Sequence, residues 1–334
     1  VSWQGLAAAL RSNWGRAALV AVGIAVVAFV IYRLGAERIF EALKRSAAVF
    51  PLVFLLEGVI VSCTMLGMRT LYGPDKHKLT AWDLTRAGLI GYVAMLLMPS
   101  GRTFAEATRA TLLAHRSTPA RAAFAAYQMQ AACLLGNALI LTLGFAAAWW
   151  VLGFNGYVGA ILINLGVCII VGLGMLFGSK LVKIGGLLGR FFPKASDHGK
   201  AFDVHTREQP AIPWVPTLWE FLGRLFQSVQ MMILVSAVGG RLSFLAGLIA
   251  EGAHEVGAAV GGLIPAQIGA AEVNLAVFAK ALAIDSTGAV AVALDVHLAQ
   301  LLWVLVGLAV ALFTSPAETI DEAASPKLEV PSER

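Results

Sequence analysis

Residues 97–110 read "LMPSGRTFAEATRA", and residues 263–276 read "LIPAQIGAAEVNLA". Each stretch interrupts an apolar run with a proline, Pro99 or Pro265, and sets a glutamate, Glu106 or Glu272, seven positions later. Gly101 and Gly269 sit just after the prolines and complete each break. Proline lacks the N–H a helix needs and collides with the preceding turn, so each stretch reads as two helical arms around a break. Five of the fourteen aligned positions are identical, two of them alanines. Two interruptions of one kind suggest a duplicated unit, and the rest of the chain decides what surrounds it.

Of the 334 residues, 58% are hydrophobic and only 13% are charged. A soluble domain carries roughly 25% charged residues. The composition therefore specifies an integral membrane protein with an all-α polytopic fold. The formal charge of +5 is spread over basic residues lying between apolar runs. They serve to orient segments and to meet lipid headgroups, and they imply no nucleic-acid partner. Cys63, Cys133 and Cys168 lie inside apolar runs, which argues against a disulfide framework. No P-loop, HExxH or comparable ligand spacing is present, so neither cofactor nor metal is expected.

Apolar runs near 17–32, 47–71, 120–150, 157–177, 217–238 and 288–313 give about six spanning helices, at roughly 20 residues per crossing. Residues 1–16 read as an interfacial helix, 17–313 as one membrane domain, and 314–334 as a polar, disordered tail. The link 33–45 is polar, and 178–216 is a basic, irregular link whose "IGGLLGRFF" lies on the membrane surface. Link 178–210 holds six Lys or Arg, whereas 151–156 holds none. The positive-inside rule makes the former cytoplasmic, together with both termini, in a plasma or bacterial inner membrane. Four basic residues in 33–45 run against that orientation.

The arms 84–98 and 103–115 are short of a crossing, and both of their ends favour the same side. A re-entrant hairpin satisfies both facts. A second hairpin, 244–264 with 267–284, should then enter from the opposite face. The units 47–150 and 217–313 form an inverted repeat, a plan that places a site between the repeats.

Charged groups at membrane depth are costly unless paired or wet, so each is a functional candidate. Arg102, Glu106 and Arg109 share a helical face and suit a phosphate or zwitterionic headgroup. The plainer reading is a glutamate that ties two arginines together. Glu272 is either a coupling carboxylate or a cap on the amides freed after Pro265. Glu251, His254 and Glu255 lie on one face and are expected to form a polar seam with Asp295 and His297 of the last helix, for coupling or gating. Glu220 and Arg224 should pair along their helix, with Arg224 and the hairpin's Gln267 available to a headgroup.

"LMPSGRTFAEATRATLLAHR" resembles the LPGR-x-GE-x-x-RA segment of the lysylphosphatidylglycerol synthase transmembrane-region family. "LIPAQIGAAEVNLAVFAKALAI" resembles that family's PG-x-LG-x-x-E segment, nearest the form of the hopanoid-associated type. Pro99, Arg102, Glu106 and Arg109 match the first motif, and Pro265, Gly269 and Glu272 the second. Ser100 and Ala266 stand where glycine is usual, and Ala105 replaces the glycine before the first glutamate. The resemblance implies a flippase-like domain that moves a phospholipid, hopanoid or other lipid between leaflets, without the aminoacyl-transferase domain. Its partners would be membrane lipids with anionic or zwitterionic headgroups, and a lipid-synthesis enzyme. An intramembrane lipid-modifying enzyme and a non-transporting membrane partner of such an enzyme are the alternatives; no catalytic constellation is legible.

Overall fold

The computed structural model describes residues 32, 36–98, 100–182, 196–208, 210, 212–262, 267 and 269–313. These contain eleven α-helices and no strand: α1 (Ala36–Ser46), α2 (Phe50–Leu71), α3 (Ala81–Leu97), α4 (Gly101–Leu113), α5 (Pro119–Leu152), α6 (Gly156–Leu181), α7 (Ser196–Glu208), α8 (Trp214–Ala237), α9 (Phe244–Gly261), α10 (Ala270–Phe278) and α11 (Ser286–Phe313). The protein is an all-α membrane protein. Helices α2, α5, α6 and α11 are long and apolar enough to cross a bilayer. Helix α8 has 24 residues but carries Glu220 and Arg224, which lower its hydropathy. The expected crossing at 17–32, the interfacial helix 1–16 and the tail 314–334 lie outside the described residues, as do Pro99, Pro265 and the "IGGLLGRFF" stretch.

Both broken segments are helical hairpins whose feet come together. In the first, Thr80 and Asp83 cap α3 reciprocally: Asp83 N donates to Thr80 Oγ1 (3.1 Å) and Thr80 N to Asp83 Oδ2 (3.0 Å). The same carboxylate accepts from Arg116 Nε (3.0 Å), which follows the second arm. Entry and exit are thus tied at one level, so the pair of arms does not cross. In the second hairpin, a Cβ on Gly240 would lie 2.9 Å from Ile284, so its feet also meet. The tips touch each other: Ser100 N donates to Gly262 O (3.2 Å).

The packing carries the symmetry of an inverted repeat. Helices α2 and α8, the first of each unit, run antiparallel: Gly67 meets Pro216, Gly223 meets Cys63, and Gln230 Nε2 donates to Val53 O (3.0 Å). Arm α3 packs on α11, the last helix of the other unit, and α9 packs on α5 in the same way. Each second arm instead packs on its own unit's last helix, α4 on α5 and α10 on α11. Close approach of α5 and α9 rests on glycine: a Cβ on Gly144 would stand 3.0 Å from Leu248 O.

Two expected links prove helical. The link 33–45 contains α1, whose Ser46 Oγ donates to the buried Asp295 Oδ1 (2.8 Å). Helix α1 is short and rich in charged residues, so hydropathy over a membrane-length window averages it away. The basic link, read as irregular, contains α7. Phe202 lies edge-on to Phe124 (6.2 Å) and Tyr127 (5.8 Å), which fastens α7 to α5.

At the foot of the first hairpin, Asp75 Oδ1 pairs with Lys78 Nζ (2.7 Å) and Asp75 accepts from Ser117 Oγ (2.6 Å). The hydrogen bond from Lys78, and after it that from Ser117, holds this carboxyl below its ordinary value. The stabilisation is therefore present above the unfolded carboxyl's value and is lost as pH falls through the lower folded one. Because Lys78 is half exposed, Asp75→Asn should cost at most about 1 kcal/mol at about pH 7. Thermal midpoints of parent and variant should differ there by a few degrees and converge near about pH 2.

Candidate functional site

A buried, charged core lies where α2, α5, α8 and α9 meet, just beneath the touching hairpin tips. Arg224 of α8 is its centre. Nη1 lies 2.7 Å from Glu255 Oε1 and 3.6 Å from Glu251 Oε1, both on α9. Nη1 also donates to Gln227 Oε1 (2.7 Å), and Nε to Asn137 Oδ1 (2.9 Å). Asn137 Nδ2 in turn donates to Glu255 Oε2 (2.7 Å), and Asn164 Nδ2 to Glu255 O (3.2 Å). Glu57 of α2 closes the outer end, accepting from Tyr92 Oη and from Gln230 Nε2 (3.1 Å). On α8 and α9 these polar positions recur at turn intervals, whereas α2 and α5 each give the core a single polar residue, Glu57 and Asn137.

The first hairpin brings its motif to the same core. Arg109 Nη1 and Glu106 Oε1 are 2.5 Å apart, and both residues are buried. Room for the guanidinium comes from α3, where a Cβ on Gly91 would lie 2.7 Å from Arg109 Nε. Arg102 turns away from that pair toward Glu220 Oε2, 3.8 Å distant. It remains 32% exposed and acts electrostatically on Glu220, Glu255, Glu106 and Arg224. It is the most accessible charged side chain of this core. Glu106 Oε2, Arg109 Nε and Glu220 Oε1 have no hydrogen-bond partner. Three guanidiniums (Arg102, Arg109, Arg224) thus share one core with five carboxylates (Glu57, Glu106, Glu220, Glu251, Glu255).

Two expected groupings are rearranged. Glu220 and Arg224 do not form their own helical pair; Glu220 faces Arg102, and Arg224 is drawn to α9. The seam of Glu251, His254, Glu255, Asp295 and His297 divides into three. Glu251 and Glu255 join Arg224, and Asp295 bonds Ser46. His297 Nδ1 stands 3.3 Å from Glu272 Oε1, with the buried His254 nearby. Glu272 Oε2 accepts from Gly269 N (2.8 Å), which is the geometry of a cap on the second break. Lys280 is exposed and does not approach it. Among the described residues no group of three or more His, Cys, Asp or Glu is placed to hold a metal ion.

Residues 16–309 match the family described as the lysylphosphatidylglycerol synthase TM region. The chain belongs to that family. No curated protein and no solved structure gives a match. In this family member the backbone accounts for one departure from the motif. Ser100 adopts a left-handed conformation (φ 54°), as glycine would at that place, and Gln267 does so at the second tip (φ 55°). Gln267 is half-buried against Gly261 at the break. Tyr92, Asn137 and Asn164 belong to the core although no motif contains them. Their signal was a single polar side chain inside an otherwise apolar stretch of helix.

Proposed function

We propose that this membrane protein is a lipid translocase that moves a phospholipid, hopanoid or other lipid between the leaflets of a plasma membrane. The observation that carries the reading is the position of the charged core: it lies beside two broken hairpins whose tips meet at Ser100 and Gly262. Irregular backbone at that depth is stable only where protein or a polar cavity satisfies it. A headgroup phosphate would engage Arg102 and Arg109, with Glu106 holding Arg109 in place, while the tail stays in lipid. No chemical step is assigned, and any driving force comes from gradients or mass action. The distribution of Lys and Arg supports a cytoplasmic side for both termini and residues 178–210.

The test is leaflet exchange of fluorescent lipids in proteoliposomes, over a panel with anionic and zwitterionic headgroups. The parent should exceed protein-free vesicles for at least one headgroup. Glu106→Gln removes a charge-assisted bond to Arg109 and should slow exchange about ten- to a hundredfold. Glu272→Gln still offers an acceptor to the Gly269 N–H and should lose far less. Equal loss in both variants would remove the distinction between headgroup site and cap. A parent no faster than empty vesicles for every lipid would overturn the translocase reading.

A further inference from the structure

One carboxylate in the core is left unanswered. Glu251 is wholly buried, and among the described residues it alone among carboxylates has both oxygens buried without a hydrogen-bond partner. Its nearest cation is Arg224 at 3.6 Å, but the same nitrogen is held at 2.7 Å by Glu255. The charged groups acting on Glu251 are Arg224 from α8, Glu255 from its own helix and Glu57 from α2. Helices α5 and α6 present only the uncharged Asn137 and Asn164 here, and both serve Glu255. Arm α10 carries Glu272, which is turned to His297.

The neighbouring carboxylates differ from Glu251 in having partners. Glu57 accepts from Tyr92 and Gln230. Glu255 accepts from Arg224 and Asn137. Among the described residues, Arg224 is the one guanidinium acting on Glu251, and it is shared with Glu255 and Glu57, while Arg102 acts on Glu255 and not on Glu251. A buried anion lacking both counter-charge and donors is among the costliest states a protein can hold. The site requires one more positive charge.

We propose that Glu251 is the binding site of a coupling cation, a single positive charge supplied as a proton or a sodium ion. The inference rests on the translocase reading, because Arg224 links the two sites. A headgroup phosphate seated on Arg102 and Arg109 adds a further anionic partner for Arg224, whose contact with Glu251 is already long at 3.6 Å and which must also loosen its 2.7 Å contact with Glu255. When it draws Arg224 from α9, the uncompensated charge on Glu251 and Glu255 grows and cation uptake follows. When the headgroup leaves, Arg224 returns and the cation is released to water. Lipid and cation then favour each other's binding, as linkage requires.

Two measurements on the full chain test this. In proteoliposomes of phosphatidylcholine and phosphatidylglycerol, exchange of fluorescent phosphatidylglycerol is followed under a pH gradient at equal sodium, a sodium gradient at equal pH, or neither. One gradient should change the parent rate about tenfold, within the usual range of coupling, and which one does so identifies the cation. Glu251→Gln should lose the response to the gradient whatever its rate without one, while Glu251→Asp should restore part of the response. Separately, infrared difference spectra in detergent, on a pH step and on sodium addition, should contain a carboxyl band absent from Glu251→Gln and displaced in Glu251→Asp. A parent that exchanges lipid indifferently to both gradients overturns the proposal and leaves the translocase reading standing. Spectra unchanged by both substitutions also overturn it. A parent that exchanges no lipid but retains the Glu251 band instead overturns the translocase reading and keeps the cation site.

Discussion

Arg224→Ala should be the most damaging single substitution in the core, with loss of folded protein from detergent extracts and no lipid exchange. Removing one partner of a buried ion pair costs about 3–5 kcal/mol, because the remaining charge has neither water nor counter-ion. Here the guanidinium answers Glu255 at 2.7 Å, lies 3.6 Å from Glu251, and donates to Asn137 and Gln227. An effect of that size approaches the whole stability of an ordinary domain. Arg224→Lys should lie between parent and Ala, since one ammonium can reach Glu255 but cannot also serve the two amides. Pairing Arg224→Gln with Glu255→Gln removes opposite charges together, so the double variant should be more stable than Arg224→Gln alone. The cycle is read from unfolding midpoints in one detergent. If Arg224→Ala stays within about 0.5 kcal/mol of the parent, the range of ordinary surface changes, the core is not held by this arginine.

The second large effect is expected at the first break. In Gly101→Ala the new Cβ would lie 1.7 Å from Met95 O, a backbone atom with no rotamer to yield. Helix α4 must move, and Arg102 and Glu106 move with it. Overpacking of this kind costs typically about 1–3 kcal/mol, and displacement of the pair should abolish exchange before it abolishes folding. Ser100→Gly is the control. It relieves a left-handed residue worth about 1–2 kcal/mol but adds glycine's entropy cost of about 0.5–1 kcal/mol, so it should be neutral or stabilise by up to about 1.5 kcal/mol. Monodispersity and exchange measured on both variants separate strain at position 101 from general sensitivity of the tip. Parent-like exchange in Gly101→Ala would show that the break is more open than this contact allows.

The large features of the fold were legible because they are local in sequence. Apolar runs set the long helices, and each proline with its glycine sets a break. Short arms whose feet are both basic or both bare require a hairpin. The capping reading of Glu272 was also open to sequence, since the carboxylate stands three residues after Gly269. What was not legible depends on distant partners. Glu220 and Arg224 have ideal spacing for a helical pair, yet α9 brings two carboxylates and α4 brings Arg102, and the stronger field decides. His297 finds Glu272 because α10 packs on α11, a contact no spacing encodes. Helices α1 and α7 escaped because their apolar residues are few and their charges many, so they resemble links at the scale of a membrane crossing.

Translocation as proposed requires two hairpins that enter from opposite faces and meet at Ser100 and Gly262. Cysteine accessibility in intact and permeabilised cells, in a background lacking Cys63, Cys133 and Cys168, tests this most directly. Single cysteines at Lys78, Thr118 and His198 should label only after permeabilisation, and those at Arg241 and Ser286 should label in intact cells. Labelling of 78 and 118 from opposite sides would make the first hairpin a crossing, and the inverted arrangement would not survive it.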